Sequence, residues 1–365
     1  MSIIPNDGFI SRKCAWLSIV AMTSVVILHS TACFTVEKPA AWNVLVQYLV
    51  TQSFTYWAVP FFFAMSGFWF ARGGYMQGKE TLTGFFKKKS RTLLVPYLLW
   101  AVLGAVLTLP LIIGNNYLTH RGLLERTFLS AGTVWNSVCA LFALDRLLPS
   151  GNGPLWYVRS LLLLFVAAPL WRACMRTKFG TCVLLLVWLG ETFVYPYSIA
   201  VIELLSMALG WFAFGILAAK CRWETLRVPS SLWMLAGVVW TVVSILKATQ
   251  VAGFTELPSV IYEKMLTLIP YGGILFLWGL YDRMGLDRRQ VPQWMRATFW
   301  VYCFHSIPGG YVIAGMKGVF GKSDGVNLLT MFIAIVNVPL LSYAASCWAK
   351  RTIPRVYAIL TGGRG

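Results

Sequence analysis

Charge is what this chain has least of. Only 12% of its 365 residues are Asp, Glu, Lys or Arg, about half the roughly 25% typical of a soluble domain. Hydrophobic residues make up 58%, and the mean hydropathy is +0.68. That balance excludes a water-soluble globule and points to a polytopic membrane protein. The eight cysteines include no Cys-x-x-Cys pair and fall mostly within apolar runs, so neither a metal centre nor a disulfide framework is expected. Internal repeats, low-complexity tracts and linkers are lacking too, so residues 1–365 read as a single domain. Histidine is the rarest ionisable residue, with three copies in all.

What is present is a series of apolar runs of about 20 residues, the length that spans a bilayer as a helix. They lie near 14–34, 50–71, 92–114, 155–171, 179–196, 198–219, 231–249, 262–281, 297–316 and 327–348. The expected fold is therefore all-α, with about ten transmembrane helices. A net charge of +18 raises the possibility of a nucleic-acid partner, and the placement of the cations removes it. With the N-terminus inside, the connections around 72–91, 172–178, 220–227, 283–296 and 350–364 are basic, while outer connections hold few cations. This is the positive-inside pattern, with both termini cytoplasmic. The one long connection is the outer loop 115–154. Within it "TVWNSVCALFALDRLL" (133–148), interrupted by Asp145 and Arg146, reads as an amphipathic or re-entrant helix.

Ionisable groups within spans cost several kcal/mol and are site candidates by default. Topology puts His29, late in the first span, in the outer half of the membrane. Arg159, Glu191 and Glu203 fall at the same level from three other helices. Each carboxylate alone has an ordinary reading, at a helix end in the headgroup region, and Arg159 can snorkel outward. His29 has no such stem, and imidazole is the side chain best matched to proton transfer near neutral pH. His305, in "VYCFHSIPGGY", precedes a Pro and two Gly that should break or loosen its helix. It reads equally as a buried imidazole bonded to a neighbouring helix or as a functional group. His120 reads as a solvated loop residue. At the cytoplasmic mouth of the third span, "GFFKKKSRTLLVPYLLW" places Lys88 and Arg91 three residues apart, hence on one helix face. Positive-inside anchoring and a phosphate clamp both account for them. "PSGNGPLWYVRSLLLLFVAAPL" brings Asn152 and Trp156 to the outer end of the Arg159 helix, an amide and an aromatic suited to a sugar face or to a membrane belt.

Together these segments resemble the acyltransferase-3 family of integral membrane acyltransferases. The first helix ends in "SVVILHS". "VPFFFAMSGFWFAR" (59–72) is similar to the family's second-helix signature, and "KKSRTLLVPYLLW" to its basic-x-x-basic motif. "GPLWYVRSLLLL", "LGWFAFGILAAKC" and "FWVYCFHSIP" follow in family order. Where the family commonly carries an arginine eleven residues before the first-helix histidine, this chain has Ser18. The resemblance implies an acyl donor, usually acetyl-CoA, bound from the cytoplasm, and an acceptor hydroxyl on the other side, such as a cell-surface glycan or its lipid-linked precursor. It implies His29 as general base, Glu203 or Glu191 orienting it, and Arg159 with Asn152 at the oxyanion or acceptor. Lys88, Arg91 and His305 would serve the donor, with Trp156 at the acceptor and no metal. The expected location is a multi-pass position in a bacterial inner or plasma membrane, among lipids. The rival class is a transporter or flippase, since broken helices and intramembrane charges also mark solute pathways.

Overall fold

The computed structural model describes residues 7–32, 38–125, 127–144, 151–193, 200–223, 228–286, 291–292 and 297–364, with the side chains of 7, 131, 191, 193 and 200–206 outside that set. The described residues form sixteen α-helices and no strand. Helix α1 (Asp7–Leu28) is followed by α2 (Ala41–Gln47), a π-turn and α3 (Ala58–Ala71), then by α4 (Leu82–Lys89), a second π-turn at Ser90–Leu94 and α5 (Val95–Leu118). After the short α6 (Val134–Phe142) come α7 (Trp156–Val166), α8 (Ala168–Arg176), α9 (Lys178–Phe193) and α10 (Ala200–Lys220). The chain continues through α11 (Ser230–Val251), α12 (Ser259–Arg283), α13 (Thr298–Phe304), α14 (Ser306–Phe320), α15 (Asp324–Thr352) and α16 (Pro354–Leu360).

Six of these stretches are long and apolar enough to cross a membrane, and seven if the bent pair α7–α8 counts as one. They correspond to six or seven of the ten expected spans. Of the other expected spans, 179–196 and 297–316 sit on a shorter and a broken helix, whereas 198–219 coincides with the 21-residue α10, whose first side chains lie outside the described residues; local chemistry explains the interruptions. The 60° bend between α7 and α8 falls just before Pro169, which suits the first turn of a helix and cannot continue one. Trp171 Nε1 donates to the Leu164 carbonyl across the bend. Helix α13 stops at Phe304 because Pro308 has no N–H for that carbonyl. The ladder resumes at once, with Gly309 N–H bonding to His305 O at 3.1 Å.

The core is an aromatic seam between α3, α7 and α10, in which Phe70, Phe165 and Phe212 lie within 6 Å of one another, centroid to centroid. Helices α3 and α10 approach so closely that a Cβ on Gly215 would sit 1.9 Å from the Ala64 carbonyl oxygen, and one on Gly67 2.1 Å from that of Phe212. Small residues at such crossings are how membrane helices pack without a hydrophobic driving force. Lys13 is buried within α1, where it pairs with Asp282 of α12 at 2.7 Å and lies over the Trp278 ring. Helix α6 begins at the Thr133 cap and is amphipathic, with Trp135 exposed and Cys139 buried. Asp145 and Arg146 lie outside the described residues.

Candidate active site

The end of α1 and the break between α13 and α14 bring two of the three histidines together. His29 lies in the turn that closes α1 and is exposed. His305, at the α13–α14 break, is only 1% exposed. Their ring centroids are 5.1 Å apart. His305 Nδ1 faces the carbonyls of Tyr302 at 2.8 Å and Val301 at 3.1 Å. Carbonyl oxygens only accept, so the proton sits on Nδ1 and Nε2 presents a lone pair. That Nε2 is buried without a hydrogen-bond partner among the described residues.

Both histidines are held from behind. Asn152 donates to the carbonyls of Cys303 at 3.0 Å and Trp100 at 3.3 Å, and its oxygen accepts from Ser306 Oγ at 3.1 Å. One buried amide thus clamps the chain on each side of His305. The Tyr302 hydroxyl donates to the Pro154 carbonyl from the same turn. On the His29 side, Gln52 Nε2 donates to the Leu28 carbonyl and to Thr31 Oγ1, and Lys247 Nζ donates to the Gln52 carbonyl at 2.8 Å. Lys247 is almost fully buried and lies over the Tyr56 ring.

A cavity of about 430 Å³ is lined by Tyr302, three residues before His305, and by Ser18 and Met22 of α1. Lys89 and Arg364 line it at a basic end; Met22, Tyr157 and Tyr302 line it also, together with Ser66, whose hydroxyl is 2.9 Å from that of Tyr157. His29 and His305 are not among its walls. The Tyr302 ring stands 6.3 Å from that of His305. Ser18, where the resemblance expects an arginine, faces the cavity, and His29 lies about 16 Å further along α1 at 1.5 Å per residue.

The family model described as an acyltransferase domain, that of acyltransferase-3, matches residues 16–347. The chain belongs to the acyltransferase-3 family. No curated protein and no solved structure gives a match. Membership makes the chain a membrane acyltransferase, and His29, just past the end of its first helix, is the histidine that meets His305.

The other expected site residues of this acyltransferase are distributed differently. Arg159 Nη1 donates to the Ala143 carbonyl at 2.8 Å, at the end of α6, whereas Tyr157, Val158, Leu161 and Phe165 form the cavity face of α7. The side chains of Glu191 and Glu203 lie outside the described residues. Lys88 and Arg91 are exposed, and Lys89 between them is the lysine that lines the cavity. Successive helical residues turn by about 100°, and the π-turn at Ser90–Leu94 alters the register on which their shared face depended. Trp156 is half-buried against Phe63, centroids 5.9 Å apart, rather than open as a platform. Three residues that were not anticipated matter here: Lys89, Tyr302 and Arg364. Only the last left a sequence signal, the pair of glycines before an arginine in "TGGRG".

Proposed function

We propose that the protein transfers an acyl group, acetyl in the simplest case, from cytoplasmic acyl-CoA to a hydroxyl of an extracytoplasmic acceptor such as a glycan or its lipid-linked precursor. The observation that carries this reading is an exposed imidazole backed by a buried one whose tautomer is fixed, together with a cavity lined by two cations. A topology of ten spans with both termini inside would put the cations on the donor side and His29 on the acceptor side.

His29 acts as the base. It takes the proton of the acceptor hydroxyl as that oxygen attacks the thioester carbonyl carbon; the carbon–sulfur bond then breaks, and the imidazolium returns its proton to the departing thiolate. His305 Nε2 offers a lone pair to an N–H of His29, which would orient the ring and steady its positive charge, the part played by a carboxylate in other acid–base pairs. The cationic end of the cavity holds the phosphates of the donor. Between the two, Met22 and Tyr302 form the stretch that the thioester arm has to pass.

The test is His29→Ala. Membranes containing the variant should lose acetyl-CoA-dependent release of free CoA, while the purified protein still binds CoA as the wild type does. Retained acyl transfer by His29→Ala would remove the assigned base. Failure of the wild type to bind any acyl-CoA would remove the donor.

A further inference from the structure

One cavity cation comes from outside the stretch that the family model matches, which ends at residue 347. Helix α16 ends at Leu360, and the Thr361 hydroxyl bonds back to the Tyr357 carbonyl at 2.8 Å. Gly362 and Gly363 both take positive φ, 60° and 75°. A side chain is strained in that conformation. At Gly362 it is also excluded by space, because a Cβ there would sit 2.3 Å from the Thr92 carbonyl oxygen. The turn returns the chain to the cavity mouth and delivers Arg364. Its Nη2 donates to that same Thr92 carbonyl at 3.1 Å, and its guanidinium lies 4.5 Å over the Phe299 ring.

Lys89 stands in the same cavity, its ammonium 4.1 Å over the Phe165 ring. The charges of Arg364 and Lys88 act against that of Lys89, and Glu80 offsets them only in part. Among the described residues neither Lys89 nor Arg364 has a carboxylate partner within ion-pair distance. Aromatic faces and one carbonyl hold the two cations in place, which leaves most of the guanidinium fork and the ammonium donors turned to the cavity space. Two like charges converging on one opening repel, and an anion between them relieves the repulsion. Arg364 is also exposed, so a ligand meets it before entering.

We propose that residues 361–364 form an anion clasp, in which the Gly362–Gly363 turn holds Arg364 opposite Lys89 to grip the phosphates of the incoming donor. The clasp rests on the donor assignment made above, and the experiment separates the two. Calorimetric titration of the purified full chain with CoA and with pyrophosphate, a phosphate probe lacking nucleoside and thiol, is made for the wild type, Arg364→Ala, Arg364→Lys and Gly362→Val. Loss of one charge-assisted hydrogen bond should weaken CoA binding roughly tenfold to a hundredfold in Arg364→Ala. Gly362→Val, which keeps the arginine and disrupts the turn, should do the same. Arg364→Lys should fall between, since an ammonium lacks the fork. The two Arg364 variants should keep close to the wild-type melting midpoint, whereas Gly362→Val, strained in that turn, should lower it. CoA binding by Arg364→Ala within twofold of wild type overturns the clasp and leaves the donor reading standing. Pyrophosphate binding that depends on Arg364, in a protein that releases no CoA from acetyl-CoA, upholds the clasp and rejects the donor. A wild type that binds neither probe overturns both.

Discussion

Replacing Asn152 separates a positioning role from the acceptor-binding role that its sequence context suggested. In the structure both ends of the amide are used: it donates to Cys303 and Trp100 carbonyls and accepts from Ser306. The side chain is fully buried, so no bond is replaced by water when it is removed. At about 1 kcal/mol net for each bond, with the 3.3 Å contact counting for less, Asn152→Ala should cost about 2–3 kcal/mol. For a chain of this size that is a fall of about 3–4 °C in the melting midpoint in detergent. Asn152→Asp keeps the volume and the acceptor but loses both donor bonds, so it should be no better tolerated. Because the amide fixes the residues on each side of His305, CoA release from acetyl-CoA in membranes should slow at saturating donor, with CoA affinity unchanged. An unaltered midpoint in both variants would refute the clamp, and a defect cured by excess acceptor would restore the ligand reading.

Two further outcomes concern the scaffold. Lys13→Met leaves Asp282 without its cation in a largely buried site and should cost about 2–3 kcal/mol, below the full buried-pair value because Asp282 is 30% exposed. The double variant Lys13→Met with Asp282→Leu should recover most of it, and a double variant as unstable as the single one would show that the pair itself is what holds α1 to α12. Gly215→Ala pushes a methyl into the Ala64 carbonyl and should destabilise by at least about 2 kcal/mol, read as a lowered melting midpoint. A neutral Gly215→Ala would mean that α3 and α10 can separate freely.

Hydropathy made the helical class legible, because a helix that meets lipid must be apolar over its whole length. It could not distinguish continuous spans from interrupted ones: 155–171 has the composition of a span but bends at Pro169, and 297–316 breaks at His305. His29 stood out because an imidazole near the end of an apolar helix has few structural uses. Its partner was invisible, since residues 29 and 305 meet only through the packing of α1 on α13. At the basic end, spacing favoured Lys88 with Arg91, and the π-turn that follows Lys89 defeats an argument based on 3.6 residues per turn. Asn152 looked like a ligand group because it lies in a polar turn at a helix start. Only the Cys303 carbonyl and Ser306 hydroxyl on either side of the α13 break, with the Trp100 carbonyl of α5, explain why a fully buried amide is needed there.

The break at His305 has a consequence for how the energy of catalysis is distributed. Pro308, Gly309 and Gly310 would suggest a flexible joint, yet the residues around it are tied down at Tyr302, Cys303 and Ser306 by a single turn, and the helix resumes through the glycines. The joint is therefore a fixed elbow. An imidazole mounted on an elbow that does not swing has its orientation settled when the chain folds, before any substrate arrives, so little rearrangement cost would remain for the proposed chemical step. Turnover should then be limited by how the substrates reach the elbow.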